Sequence, residues 1–181
     1  MRCNRPQRSS REGEQRCPRP HPGCCCCRGP QGEPGPKGEN SVLAAASFFA
    51  FERRFENGKP VPLVTGTEDE TGQIWLADET AIRLEPGRYA VWYHLSAVLE
   101  KAGYLQVTPS QQGSPQLAYG LYARTASPMV TAGGTNFLLV QAEEAAVFQL
   151  NYNSDVANRS GAASVMVWKL ASFDGSICKN R

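Results

Sequence analysis

The sequence predicts an all-β head, a ten-strand jelly-roll sandwich, carried behind a short collagen-like segment and a disordered Cys-rich tail. Three observations lead there. From Ser41 onward, apolar residues alternate with polar ones in short runs, and Gly, Pro, Asn and Asp separate the runs. No segment sustains the 3.6-residue period of a helix. Ahead of these runs, glycine stands at 29, 32, 35 and 38, every third residue.

Residues 1–28 hold Pro, Arg, Ser, Gln and Gly with almost no large apolar side chains. Nothing in them offsets the entropy of ordering, which predicts a disordered tail. Its chemical feature is the run Cys24, Cys25, Cys26 and Cys27, with Cys17 and His21 upstream. Adjacent cysteines pair poorly with each other on geometric grounds, so a run of four suits cross-links between chains. Two alternatives stay open. One is metal binding through Cys17, His21 and the run, although the spacing matches no paired Cys-x-x-Cys zinc pattern. The other is a thiol-rich tail with no fixed role. No cysteine lies between Arg28 and Ile177, so the head is expected to fold on its hydrophobic core alone, as a domain of about 130–140 residues can.

Residues 29–40 read Gly-Pro-Gln, Gly-Glu-Pro, Gly-Pro-Lys, Gly-Glu-Asn. Three polyproline-II chains wind together only where the axial residue has no side chain, which makes Gly29, Gly32, Gly35 and Gly38 the axis positions. Pro30, Pro34 and Pro36 pre-set the extended backbone, and Lys37 and Glu39 place a cation near an anion of a neighbouring chain. The competing reading, a Pro/Gly-rich linker, stays open because the triplets are so few. If they form a triple helix, the protein is a homotrimer, and the chain after residue 40 must be able to trimerise.

The head, residues 41–171, is then read strand by strand, with 172–181 as a C-terminal tail. Ala46–Phe55 comes first, with Phe49, Phe51, Arg53 and Phe55 expected on one face, and ends at an Asn57-Gly58 turn. Val61–Thr65 begins beside two prolines, which places it at an edge. An acidic loop over Thr67–Gly72 leads to Ile74–Leu76 and Thr80–Leu84. After the Glu85-Pro86-Gly87 turn, Arg88–Val98 is the clearest strand of the chain. Tyr89, Val91, Tyr93, Leu95 and Ala97 alternate there with Ala90, Trp92, His94, Ser96 and Val98. Tyr104–Thr108 pairs with Gln116–Arg124 around a loop over Pro109–Pro115. A Gly133-Gly134 turn precedes Asn136–Ala142, and Val147–Tyr152 and Ala163–Leu170 close the domain. Several strands are apolar on both faces, which predicts burial against neighbouring subunits as well as the core. Tyr93, Phe148, Leu150, Tyr152, Val167 and Trp168 are the residues expected to line that trimer interface.

Charge and motifs narrow the function. Residues 1–40 carry eight Lys/Arg against four Asp/Glu, a net of +4, and residues 41–181 carry eleven against thirteen, a net of −2. The head therefore has no broad basic face for nucleic acid. The polar, arginine-rich Met1–Ser10 is followed by no apolar h-region, so no standard secretory signal is expected, and no run reaches the length of a membrane span. His94 is the head's single histidine, mid-strand among aromatics, and no nucleophile elbow, phosphate-cradling loop or His/Glu metal pair occurs. The expectation is a non-enzymatic protein with no cofactor and no metal. Glu68, Asp69, Glu70, Asp78 and Glu79 read as solvated acidic loops, with a calcium site as the alternative. Asn158-Arg159-Ser160 fits an N-glycosylation pattern common by chance.

Collagen triplets feeding a ten-strand domain that closes on Val165–Leu170 resemble the architecture of the complement-q and tumour-necrosis-factor superfamily. Leu84–Ser96 is similar to that superfamily's Pro-Gly-Tyr strand. Val61-Pro62-Leu63, Gly103–Pro109 and Asn151–Ser154 resemble stretches in the heads of bacterial collagen-like spore-surface (exosporium) glycoproteins. The resemblance implies a jelly-roll homotrimer whose heads nucleate the triple helix, displayed on a spore surface, or otherwise extracellular or on a cell surface. Two roles are expected: a structural surface protein, cross-linking to other surface-layer proteins, or a recognition module binding a glycan or protein ligand. The stalk departs from the family. It has only twelve residues, on the order of 35 Å at about 3 Å each, and no threonine for O-glycosylation.

Overall fold

A computed structural model describes residues 41–171. The proposed axis glycines Gly29, Gly32, Gly35 and Gly38, the run Cys24–Cys27 and the tail 172–181 lie outside the described residues.

The head has twelve strands: β1 (Val42–Arg53), β2 (Lys59–Pro60), β3 (Val64–Thr67), β4 (Ile74–Asp78), β5 (Ala81–Leu84), β6 (Gly87–Leu99), β7 (Gly103–Gln111), β8 (Ser114–Pro115), β9 (Leu121–Thr125), β10 (Val130–Ala142), β11 (Ala146–Ser154) and β12 (Asn158–Leu170). The two beyond the ten predicted are the two-residue pairings β2 and β8. They form two antiparallel sheets. One runs β10-β6-β12-β1-β3; the other runs β4-β5-β11-β7-β8, with β2 added to β11 and β9 to β7. Among the described residues no helix is long and apolar enough to cross a membrane.

The period-two pattern has the expected physical outcome: alternate residues fill the space between the sheets. Phe48, Tyr89, Val91, Tyr93, Leu95, Val165 and Val167 enter it from the five-stranded sheet, and Leu105, Val107, Phe148, Leu150 and Tyr152 from the other. Tyr89 and Tyr93 carry hydroxyls into this core, and each finds a backbone acceptor. Tyr89 Oη donates to the Glu85 carbonyl at 2.6 Å, and Tyr93 Oη donates to the Tyr119 carbonyl at 2.5 Å. Burial pushes both phenols up to about 12.

Three local readings need correction. Gly133-Gly134 is no turn but the middle of β10, paired with Ser96 and Leu95 of β6. A Cβ on Gly133 would sit 2.5 Å from the Leu95 carbonyl oxygen, so the glycine serves close strand approach. Pro109 lies inside β7 rather than in a hairpin loop. It falls between the stretch paired with β9 (Gly103–Val107) and that paired with β8 (Ser110–Gln111), where a missing N–H breaks no ladder bond on that side. Phe55 does not share the face of Phe49 and Phe51. Glu52 at φ 51° accompanies a register shift between Ala50 and Arg53, and Phe55 turns into the core against Tyr152, ring centroids 5.4 Å apart.

Candidate functional site: the outer sheet faces

Of the six residues expected at a trimer interface, Tyr93, Phe148, Leu150, Tyr152 and Val167 lie in the core of a single chain, none more than 1% exposed. A side chain with no accessible surface cannot touch a second copy, so these five hold the fold instead. Trp168 alone faces outward, half-buried, on β12.

The outer face of the five-stranded sheet is where the structure leaves apolar surface uncovered. Strand register builds it row by row. Leu139, Ala90, Trp168 and Ala45 lie across β10, β6, β12 and β1. The next row is Phe137, Trp92, Met166 and Ser47, and the third is Thr135, His94, Ser164, Phe49 and Val64. Phe51 continues the β1 stripe beyond Phe49. Trp92 and Trp168 are half-buried, and exposure among the other large apolar side chains runs from 40% for Met166 to 70% for Phe51. Together Phe49, Phe51, Val64, Phe137, Leu139 and Met166 leave on the order of 500 Å² of apolar surface in one patch, at the upper end for a lone soluble domain. In a sandwich the solvated face is ordinarily polar. His94, central in this face, shares a 3.1 Å hydrogen bond with Thr135 Oγ1.

One end of the sandwich receives the chain from residue 40. The Ala171 N–H donates to the Ser41 carbonyl there, so both ends of the head lie together. At this end Lys169 points inward, its Nζ 5.6 Å from the Tyr89 ring centroid and 2.5 Å from Gln73 Oε1. At the far end, a cleft of about 400 Å³ opens where Arg54–Asn57 passes Ser154–Asn158. Asn158, the residue of the glycosylation pattern, is buried beside it. Its amide receives the Phe55 N–H at 3.0 Å and donates to the Phe55 carbonyl at 2.7 Å, which leaves it inaccessible to modification. The Tyr152 hydroxyl is buried without a partner of normal geometry, and burial pushes the phenol up against the opposing pull of Ser154 and Asn158.

The acidic loops do not converge. Burial pushes Asp69 up, but the Thr71 side chain and the N–H groups of Gln73, Thr71 and Ile74 outweigh it and hold the carboxyl below its usual range. Its oxygens organise the loop that carries it. Asp78 likewise accepts from the N–H and hydroxyl of Thr80.

The other outer face, on β11, β7 and β9, differs in kind. Gln149, Asn151 and Asn153 lie beside Ser110, Thr108 and Gln106, and Tyr122 lies beside Gln106. Tyr104 and Tyr122 stack with ring centroids 5.4 Å apart and planes 21° from parallel.

No protein-family model matches this chain, and no curated protein does. Among solved structures it is similar to the globular domain of zebrafish complement 1qA protein, with a TM-score of 0.52 and 14% identity over 72% of this chain and 98% of that one. It also aligns with the Eiger TNF of S. frugiperda (TM-score 0.49, 11% identity, 78% of this chain and 100% of that one) and with PRD1 vertex protein P5 (TM-score 0.46, 15% identity, 73% and 100%). At 14% identity the likeness is one of fold. The head is an all-β jelly roll of the complement-1q globular type.

Proposed function

We propose that this chain is a non-enzymatic structural protein that assembles as a homotrimer through its head and is displayed on a surface. The single observation behind the reading is the apolar outer face of the five-stranded sheet, centred on Met166 and Trp92. A patch at the upper end of what a lone domain leaves uncovered marks a surface that takes a partner, and a second and third copy of the same chain are the partners the triplets of residues 29–40 call for. A triple helix of four triplets is too short to hold three chains by itself. Three heads joined by their apolar faces would bring the three necks into register at Ser41, and Cys24–Cys27 would lock the strands, or neighbouring trimers, covalently. Display on a spore surface rests on the resemblance of Val61–Leu63, Gly103–Pro109 and Asn151–Ser154 to exosporium glycoprotein heads.

Light scattering on the full chain under reducing conditions tests the assembly. A mass of three chains is expected, and a monomer across the micromolar range would sink the proposal. Labelling of intact spores with antibody to the head tests the location; signal confined to the cell interior would remove it.

A further inference from the structure

The solvent-facing side of the seven-stranded sheet is unusual in composition. Its central positions are Gln149, Asn151 and Asn153 on β11, Tyr104 and Gln106 on β7, and Tyr122 on β9, with Thr108 and Ser110 of β7 buried between them. None of these carries a charge at neutral pH. A face selected only for solubility is dominated by Lys, Glu, Asp and Arg. Charge is depleted and Tyr enriched at the core of protein interfaces, and Tyr, Asn and Ser are enriched in antibody binding loops. Charge lies around these positions, with Arg124 and the Asp155 carboxylate beside Tyr104, Arg83 beside Val147, and Asp78 bonded to Thr80 next to Gln149.

The amides are held in place. Asn151 Nδ2 donates to Ser110 Oγ at 2.9 Å and to the Thr108 carbonyl at 3.4 Å. Gln106 Nε2 donates to Thr108 Oγ1 at 3.3 Å, and Gln149 Nε2 donates to Thr80 Oγ1 at 3.3 Å. Each amide nitrogen is thus tied down. Among the described residues no hydrogen bond reaches the carbonyl oxygen of Asn151, Gln106 or Gln149, nor either end of the Asn153 amide. Along β11 the three amides recur at about 7 Å, two residues of extended chain. Gln149 and Asn151, with Gln106 on the neighbouring β7, are thus preorganised acceptors with little rotamer freedom left to lose on binding. Asn153 extends the row without such an anchor. At its edge the stacked pair offers an aromatic platform. One face of Tyr122 is taken by Tyr104, and the residue remains 59% exposed.

We propose that this face binds a neutral polysaccharide. A pyranose ring has an apolar C–H face that packs on an aromatic ring and a belt of hydroxyls that donate to carbonyl oxygens. Tyr122 and Tyr104 supply the first, and Gln106, Asn151 and Gln149 the second. An anionic glycan would meet no cation at the centre of the face, and a nucleic acid would need a basic stripe that is absent from these eight positions. The chain of sugars runs along β11 and β7, on the opposite side of the sandwich from the apolar patch, so occupancy is independent of assembly.

The test is co-sedimentation of the full chain with insoluble chitin, curdlan and mannan, with heparin beads as the charged control. Binding to at least one of the three neutral polymers is expected. It should persist in about 0.5 M NaCl, where ionic attraction is screened over a few ångströms. Tyr122→Ala should weaken it by about tenfold or more. Gln106→Ala combined with Asn151→Ala should abolish it. Both sites are on the solvent side, and an unchanged thermal midpoint and unchanged mass by light scattering identify the variants as folded. Capture on none of the neutral polymers overturns the proposal. So does binding only to heparin that vanishes in salt, which points to the arginines of residues 1–28. Neutral-polymer binding untouched by both variants, or a mass above the wild-type assembly state that Tyr122→Ala alone removes, also overturns it, the latter in favour of a second copy on this face.

Discussion

Met166→Asp separates assembly from folding most cleanly. Met166 sits mid-sheet on β12 between Trp92 and Ser47, with its neighbour Val167 pointing into the core. It is 40% exposed in the single chain. Fully burying a methionine contributes about 2.5 kcal/mol, so covering the remaining fraction contributes about 1 kcal/mol per copy and about 3 kcal/mol per trimer. A carboxylate at the same place must be desolvated without a partner, which costs several kcal/mol per ion. With about 2 kcal/mol per copy as a low figure, the combined penalty reaches about 9 kcal/mol per trimer. That corresponds to about six orders of magnitude in the dissociation constant. The isolated head should scarcely respond, because the side chain faces outward and strand propensities span about 1 kcal/mol.

Sedimentation velocity across a concentration series, paired with urea denaturation, reads both quantities. Wild type is expected as a trimer, Met166→Asp as a folded monomer, and Met166→Leu as a trimer, since a volume-conserving apolar swap costs less than about 1.5 kcal/mol. Val167→Asp, one residue along and pointing inward, should fail to fold. A Met166→Asp protein that remains trimeric would refute the assignment of this face, whatever the state of the wild type.

Replacing Cys24–Cys27 with serine should remove covalent oligomers on a non-reducing gel while leaving the non-covalent mass unchanged; persistence of the covalent species would move the cross-link to Cys3, Cys17 or Cys178. Asn158→Ala takes a buried partner from both the N–H and the carbonyl of Phe55, and a loss of about 2–4 kcal/mol in urea denaturation is expected; a loss below about 0.5 kcal/mol would contradict the buried pairing. Above neutrality, Tyr89 and Tyr93 are raised from 10.0 to about 12 in the folded head, first by burial. Their folded state holds the proton more tightly than the unfolded one, so the stabilisation is complete below pH 10 and is lost as pH rises towards 12. Tyrosinate absorbance near 295 nm should therefore show a late step that coincides with loss of tertiary structure, and a single early step would contradict it.

Fold class was legible because period two is a local property. Alternation in Arg88–Val98 named the two sides of β6 correctly without any neighbour in view. It did not name which side is inside, because both sides of that strand are apolar. The choice depends on partners distant in sequence. Tyr93 goes inward with Tyr89, Val91 and Leu95, where its hydroxyl reaches the Tyr119 carbonyl, and Trp92 goes outward beside Phe137 and Met166. A one-residue register shift exchanges the two sets entirely. The interface expected from Tyr93 and Val167 failed for this reason, while Trp168 fell on the open side; Phe148, Leu150 and Tyr152 alternate with the polar Gln149, Asn151 and Asn153, a pattern that does name the buried side. Gly133-Gly134 misled in the same way. Adjacent glycines specify a turn when nothing is near, but here the Leu95 carbonyl approaches too closely for any side chain.

The contrast between the two outer faces is itself an argument about assembly. A lone sandwich needs one polar outer surface on each sheet, and this chain supplies that on β11, β7 and β9 only. On the β10-β6-β12-β1-β3 sheet the residues opposite the core include Phe49, Phe51, Trp92, Phe137, Leu139, Met166 and Trp168. Retaining so many aromatics in solvent carries an aggregation cost that a monomer has no reason to bear. The proposed closure of three copies around one axis would remove that cost, because a cyclic arrangement satisfies every patch and leaves none free to propagate. The same closure would bring three chains together at Ser41, the point from which a twelve-residue neck, too short to nucleate itself, would have to wind.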